Sequence, residues 1–99
     1  MSVNLRPEAQ DDLVSAAAYF NDKNAGWGDR FLNSIELDLT NLEEEAGIHA
    51  IHNGLLCKFA KAFPFAIYYQ IENGSTVVMG ILSCRMNPGS HLSILKRRG

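Results

Sequence analysis

Five side chains in the second half of the chain have the chemistry for a functional site: Lys58, Lys61, Tyr68, Arg85 and His91. Lysine and arginine bind phosphates, while a phenol or an imidazole can shuttle a proton. Each also has a plainer role open to it. Tyr68 reads equally well as a half-buried strand aromatic, and Lys58 and Lys61 as edge charges that blunt unwanted strand pairing. His91 lies in a tail that pattern alone does not place. His49, His52 and Cys57 lack a fourth partner at any zinc-like spacing, so no metal is expected. No phosphate-cradling glycine loop or nucleophile elbow is present, and no cofactor is expected. The two cysteines, Cys57 and Cys84, read as buried reduced thiols inside strands.

These residues need a sheet to carry them. Phe63-Pro64-Phe65-Ala66-Ile67-Tyr68-Tyr69 is aromatic and β-branched, and it leads to Asn73-Gly74. That pair predicts a two-residue hairpin, because a type I′ turn needs positive φ at both central positions. Thr76 to Cys84 then returns as the partner strand. With this loop, Tyr69 faces Val78 and Ile67 faces Gly80. Strict alternation puts Phe65, Ile67, Tyr69, Ile71, Val78 and Leu82 on one face. Ala66, Tyr68, Gln70, Val77, Met79 and Ile81 fall on the other, with Ser83 and Arg85 beyond them. The Ile67, Tyr69 and Val78 face is expected to meet the helices.

Helices occupy the first half. Val3 and Leu5 suggest a brief first strand, and Pro7 fits the first helical position, where its missing N–H costs nothing. Ala9, Leu13, Ala16, Ala17 and Phe20 form an apolar stripe, and the alanine run allows a second helix to approach closely. Asn21 to Gly28 breaks the chain. A second helix is expected over about 29–46, with Trp27, Phe31, Ile35, Leu39 and Leu42 on one face and Gly47 as its terminator. The pair forms a helical hairpin. Residues 48–54 read as irregular, 55–60 as a strand, and 89–99 as a basic tail. The expectation is one α+β domain over 1–99, in the order β-α-α-β-β-β, with the hairpin covering one face of a small antiparallel sheet.

At 46% hydrophobic and 20% charged, the composition is that of an ordinary soluble globule. No apolar run approaches membrane-spanning length and no targeting segment is recognisable, so a cytoplasmic protein without membrane contact is expected. The net charge of −2 conceals an asymmetry. Residues 1–50 hold ten acids and three bases, and residues 51–99 hold one acid and six bases. A basic second half suits an anionic partner, either nucleic acid or an acidic protein.

Taken together, the elements and motifs resemble the RelE/ParE superfamily of toxins from bacterial type II toxin–antitoxin modules. The resemblance is to the ParE-like branch, often labelled plasmid stabilisation proteins, and it runs from about Leu5 to Pro88. Its carriers are Pro7-Glu8-Ala9 with Asp12-Leu13, the run Gly26 to Leu32, the Phe63 to Tyr69 segment, and Ile81 to Pro88. Similar proteins commonly show His-x-Arg-Arg-Asp-Pro in the last of these. Here Ser83, Met86 and Asn87 depart from that pattern, while Arg85 and Pro88 match it.

The resemblance implies a toxin that binds DNA gyrase. One alternative is a RelE-like ribonuclease cutting mRNA on the ribosome, and another is a non-toxic member that keeps only partner binding. The helical hairpin favours the first over the second, and the departures at Ser83 and Met86 favour the third. A small cognate antitoxin is the expected partner in each case, and a homodimer is compatible with the sequence. The expected partner-binding residues are Lys58, Lys61, Tyr68, Met79, Ile81 and Arg85. The catalytic candidates, should there be chemistry, are Arg85, Tyr68 and His91.

Overall fold

In the computed structural model, which describes residues 1–99, strand β1 (Val3–Leu5) runs directly into helix α1 (Pro7–Lys23). Pro7 sits in the first turn with Glu8 near the positive end of the helix dipole, as its sequence position predicts. Asn24 ends the helix in extended backbone, and Gly26 at φ +88° turns the chain into α2 (Trp27–Glu45). This start lies two residues before the expected one. The Gly28 N–H donates to Asn21 Oδ1 at 2.8 Å, which ties the new helix to the end of the old one. Gly47 at φ +99° follows the end of α2, where a left-handed residue belongs.

Four further strands follow: β2 (Ile51–His52), β3 (Leu55–Phe59), β4 (Phe65–Glu72) and β5 (Ser75–Ser83). The sheet order is β1-β5-β4-β3-β2. Asn73 and Gly74 have φ of 49° and 76°, so the predicted turn forms and Tyr69 pairs with Val78. Two features correct the sequence reading. Asn53 and Gly54, at φ 53° and 85°, make a second turn of the same kind within the segment expected to be irregular. The sheet is also mixed, because β1 lies parallel to β5 while the other pairs are antiparallel. The helical hairpin sits between β1 and the rest of the sheet in sequence, so β1 need not follow the antiparallel order that short turns impose.

A third correction concerns the faces. Tyr68 pairs with Gly80 and Tyr69 with Val78, which leaves Met79 as an extra residue in β5. This bulge resets the alternation beyond it. Ile81 therefore turns to the helix side, against Phe31, Ile67 and Tyr69, and Leu82 turns to the opposite side. The expected assignment of both residues is reversed. The expected side for Ile67, Tyr69 and Val78 holds.

The basic tail is a helix, α3 (Ser90–Arg98). It lies on the face away from the hairpin, with Leu95 packed among Ala66, Tyr68, Met79 and Leu82. Helices thus cover both faces of the sheet. None is long and apolar enough to cross a membrane. Cys57 is buried, but Cys84 lies in an exposed turn just after β5, against the reading of both as strand thiols.

Candidate functional site

The structure separates the sequence-predicted site residues. Four of the six expected partner-binding side chains are covered. Met79 and Ile81 are 4% and 2% exposed, one under α3 and the other under the hairpin. Tyr68 is also 2% exposed. Lys58 is 8% exposed, and its Nζ donates to Glu45 Oε1 at 2.7 Å and to the Asp38 carbonyl at 2.8 Å. A lysine with both partners inside the protein has no charge to offer outside it. Lys61 and Arg85 remain exposed.

Tyr68 and His91 do come together, on the α3 side. The Ser83 carbonyl, 2.7 Å from His91 Nε2, can only accept, so Nε2 carries the proton there. Nδ1 then accepts from the Tyr68 hydroxyl at 2.7 Å, and Asn53 Nδ2 donates to that hydroxyl at 2.9 Å. Every member of this chain of bonds is satisfied, and its effect is to pin the start of α3 to the sheet. Burial pushes the neighbouring Cys57 thiol up to about 11, which keeps it protonated and inert near neutrality.

On the hairpin side, Lys58 and Glu45 belong to a second network. The Gly47 N–H donates to the Tyr69 hydroxyl at 3.0 Å, and that hydroxyl lies 2.6 Å from His49 Nδ1. His52 is elsewhere, edge-on to Phe59, so the histidines and Cys57 do not converge. The Lys58 hydrogen bond holds the Glu45 carboxyl below its usual range, and burial holds His49 below its own. A histidine depressed in the fold takes up its proton more readily once unfolded, so acid favours unfolding. A depressed carboxylate acts in the same direction at lower pH. Stability should therefore be full near neutrality, begin to fall below about pH 6.5, and fall again as Glu45 protonates. Urea midpoints measured across this range check the slope, and His49→Gln should flatten its upper part.

Arg85 belongs to neither network. It stands at a groove of about 910 Å³ between the helical hairpin and the ends of β4 and β5. Tyr19, Phe20 and Trp27 of the hairpin line it together with Phe63, Pro64, Ile81 and Met86, and Phe63 packs edge-on against both Phe20 and Trp27. Three charged side chains line it: Asp12, Arg30 and Arg85. Arg30 lies over the Trp27 ring at 5.7 Å, and neither Arg30 nor Arg85 is in an ion pair. Asp12 is engaged on both oxygens. Arg98 Nη1 and Nη2 donate to it at 2.7 and 2.8 Å, and the Ile81 N–H adds a bond of 2.9 Å. His91 is not among the groove residues.

The sequence reading missed Arg30, Trp27 as a groove wall, and the Asp12–Arg98 pair. The first two sit in the Gly26 to Leu32 motif, where Arg30 follows Trp27 by one helical step. Nothing local announces the third, since its members are 86 residues apart.

This arrangement, a helical hairpin on one face of a mixed sheet, is the ParE-like α+β fold. One similar solved structure is the chromosomal ParDE TA system from P. aeruginosa, with a TM-score of 0.75 over 84% of this chain and 95% of that one. The two share 14% sequence identity. No protein-family model and no curated protein matches the chain.

Proposed function

We propose that this chain is the toxin of a bacterial type II toxin–antitoxin module, of the ParE type, and that it acts in the cytoplasm by binding DNA gyrase. The ParE-like fold and the motif resemblance support the module. A small antitoxin is its partner. The choice of binding over catalysis rests on the surroundings of Arg85. RNA cleavage by attack of a 2′-OH needs a base, an acid and a cation placed together. Arg85 is a cation without the other two. His91 is committed to Tyr68 and the Ser83 carbonyl, and Asp12 is committed to Arg98. Tyr68, itself almost fully buried, is held in its protonated form by that burial.

The test is expression with and without induction, followed by two assays on purified protein beside Arg85→Ala. Growth arrest with gyrase-dependent DNA breaks is the expected result. Ribosome-dependent mRNA cleavage lost in Arg85→Ala would replace this reading with the ribonuclease. Normal growth and silence in both assays would replace it with a non-toxic partner-binding protein, the alternative that the departures at Ser83 and Met86 raise.

A further inference from the structure

Beyond Val78, strand β5 has no neighbour on its outer side, because β1 ends at Leu5 and pairs only with Thr76, Val77 and Val78. An open edge of this kind is a template for pairing with another chain. We propose that Asp12, His91 and Arg98 stand in for the missing strand, and that α3 is thereby a strap that keeps the Met79–Ser83 edge from pairing with the same edge of a second copy.

The need for such a cover is written in the strand itself. From Ser75 to Cys84 the chain carries no charge and no proline, the residues that usually blunt an edge. Val77, Val78, Met79, Ile81 and Leu82 make it a strongly β-forming, apolar run, the composition that favours intermolecular strand pairing. The other edge of the sheet is β2, which at two residues is too short to need protection.

The ladder shows which groups face outward. The Phe65 carbonyl accepts from the Ala60 N–H just past β3, so Phe65 turns its polar groups away from its β5 partner Ser83. Ser83, and Ile81 two positions earlier, therefore present their N–H and C=O groups to the outer edge. Side chains meet this edge at each step. The Ile81 N–H donates to Asp12 Oδ2 at 2.9 Å, and the Ser83 carbonyl accepts from His91 Nε2 at 2.7 Å. At the bulge, the Met79 carbonyl accepts from Arg98 Nη1 at 3.2 Å. One acceptor from α1 and two donors from α3 thus occupy the places of a neighbouring strand. Asp12 and Arg98 also hold each other at 2.7 and 2.8 Å, which joins the two helices around the edge. Gly80 makes room for that meeting, since a Cβ there would lie 2.9 Å from Arg98 Nη1 and 3.2 Å from Leu95 Cδ2.

A second copy is the partner excluded. Two identical edges laid antiparallel supply each other's donors and acceptors, and one twofold axis closes the pair.

The test compares the full chain with its variants by sedimentation equilibrium and by hydrogen exchange at the Ile81 amide. Asp12→Ala removes the acceptor, and Arg98→Met removes the donors while keeping the apolar stem. Each should speed exchange at Ile81. Each should also tighten self-association by roughly tenfold or more, the worth of one or two backbone hydrogen bonds regained between copies. Arg98→Lys, which keeps a donor, should stay nearer the parent. Ser83→Pro removes an outward N–H that the internal ladder does not use, a change that edge positions tolerate. Added to Asp12→Ala or Arg98→Met, it should return self-association to the parent's level. Misfolded protein would associate with or without that N–H, so the reversal separates edge pairing from a loss of folding. Unchanged exchange, unchanged self-association, or association that survives Ser83→Pro would each overturn the proposal. None of these measurements depends on the toxin reading, so either can fail alone.

Discussion

Phe31→Ala lowers the unfolding free energy by about 3–5 kcal/mol. Phe31 has no exposed surface, and its ring stands at the centre of an aromatic cluster. Ring centroids lie 5.2 Å away at Phe20, 5.3 Å at Phe63 and 4.8 Å at Phe65. These neighbours come from α1, from the approach to β4 and from β4 itself, so the one side chain joins the hairpin to the sheet. Truncation removes the transfer free energy of the ring and leaves a cavity. The surrounding rings are held by separate elements and cannot all move in to fill it. Urea unfolding of the wild type and variant, with equal slopes, measures the loss. A cost under about 1.5 kcal/mol would show that the cluster collapses around the gap, contrary to this account. Domains of ordinary stability hold only about 5–15 kcal/mol in total, so the expected loss is a large share.

Gly28→Ala is the second large effect, and helix propensity alone gives it the wrong sign. Alanine is better than glycine within a helix by about 1 kcal/mol. Here the new methyl would lie 2.5 Å from the Ala17 carbonyl oxygen and 2.6 Å from Asn21 Nδ2. The first of these atoms is backbone of α1 and cannot rotate away, so the two helices must separate. Overpacking of this kind costs about 1–3 kcal/mol, and a clash this short belongs at the upper end. The net expectation is a loss of about 2 kcal/mol after the gain in propensity. Asn21→Ala in the same background should not recover it, because the Ala17 carbonyl stays in place. A variant as stable as the parent would mean that the hairpin opens at little cost.

Both positions were visible in the sequence to different degrees. Phe31 stands out because it shares helical spacing with Ile35 and Leu42, and all three are buried. Gly28 is visible only as part of a glycine-rich break, although Ala16-Ala17-Ala18 announces a close helix–helix approach. The Asn53-Gly54 turn was equally legible, since it repeats the Asn73-Gly74 signal. Only two residues of strand precede it, too few to show the alternation that marks a strand in sequence.

Local chemistry determined the helical hairpin, the Asn73-Gly74 turn, the Tyr69–Val78 register and the side of the sheet that meets the helices. Each depends on residues within a few positions of one another, where spacing and turn geometry act directly. Tertiary structure decided the rest. The bulge at Met79 exchanged the sides of Ile81 and Leu82, because one extra residue inverts every later position on a strand of period two. The return of α3 buried Met79 and Tyr68 and engaged His91. Glu45 and Asp38 drew Lys58 inward, leaving Arg85 with Arg30 at the groove. Asp12 and Arg98 meet across 86 positions of sequence because β1 ends at Leu5, leaving β5 beyond Val78 with an unpaired edge around which their two helices reach each other.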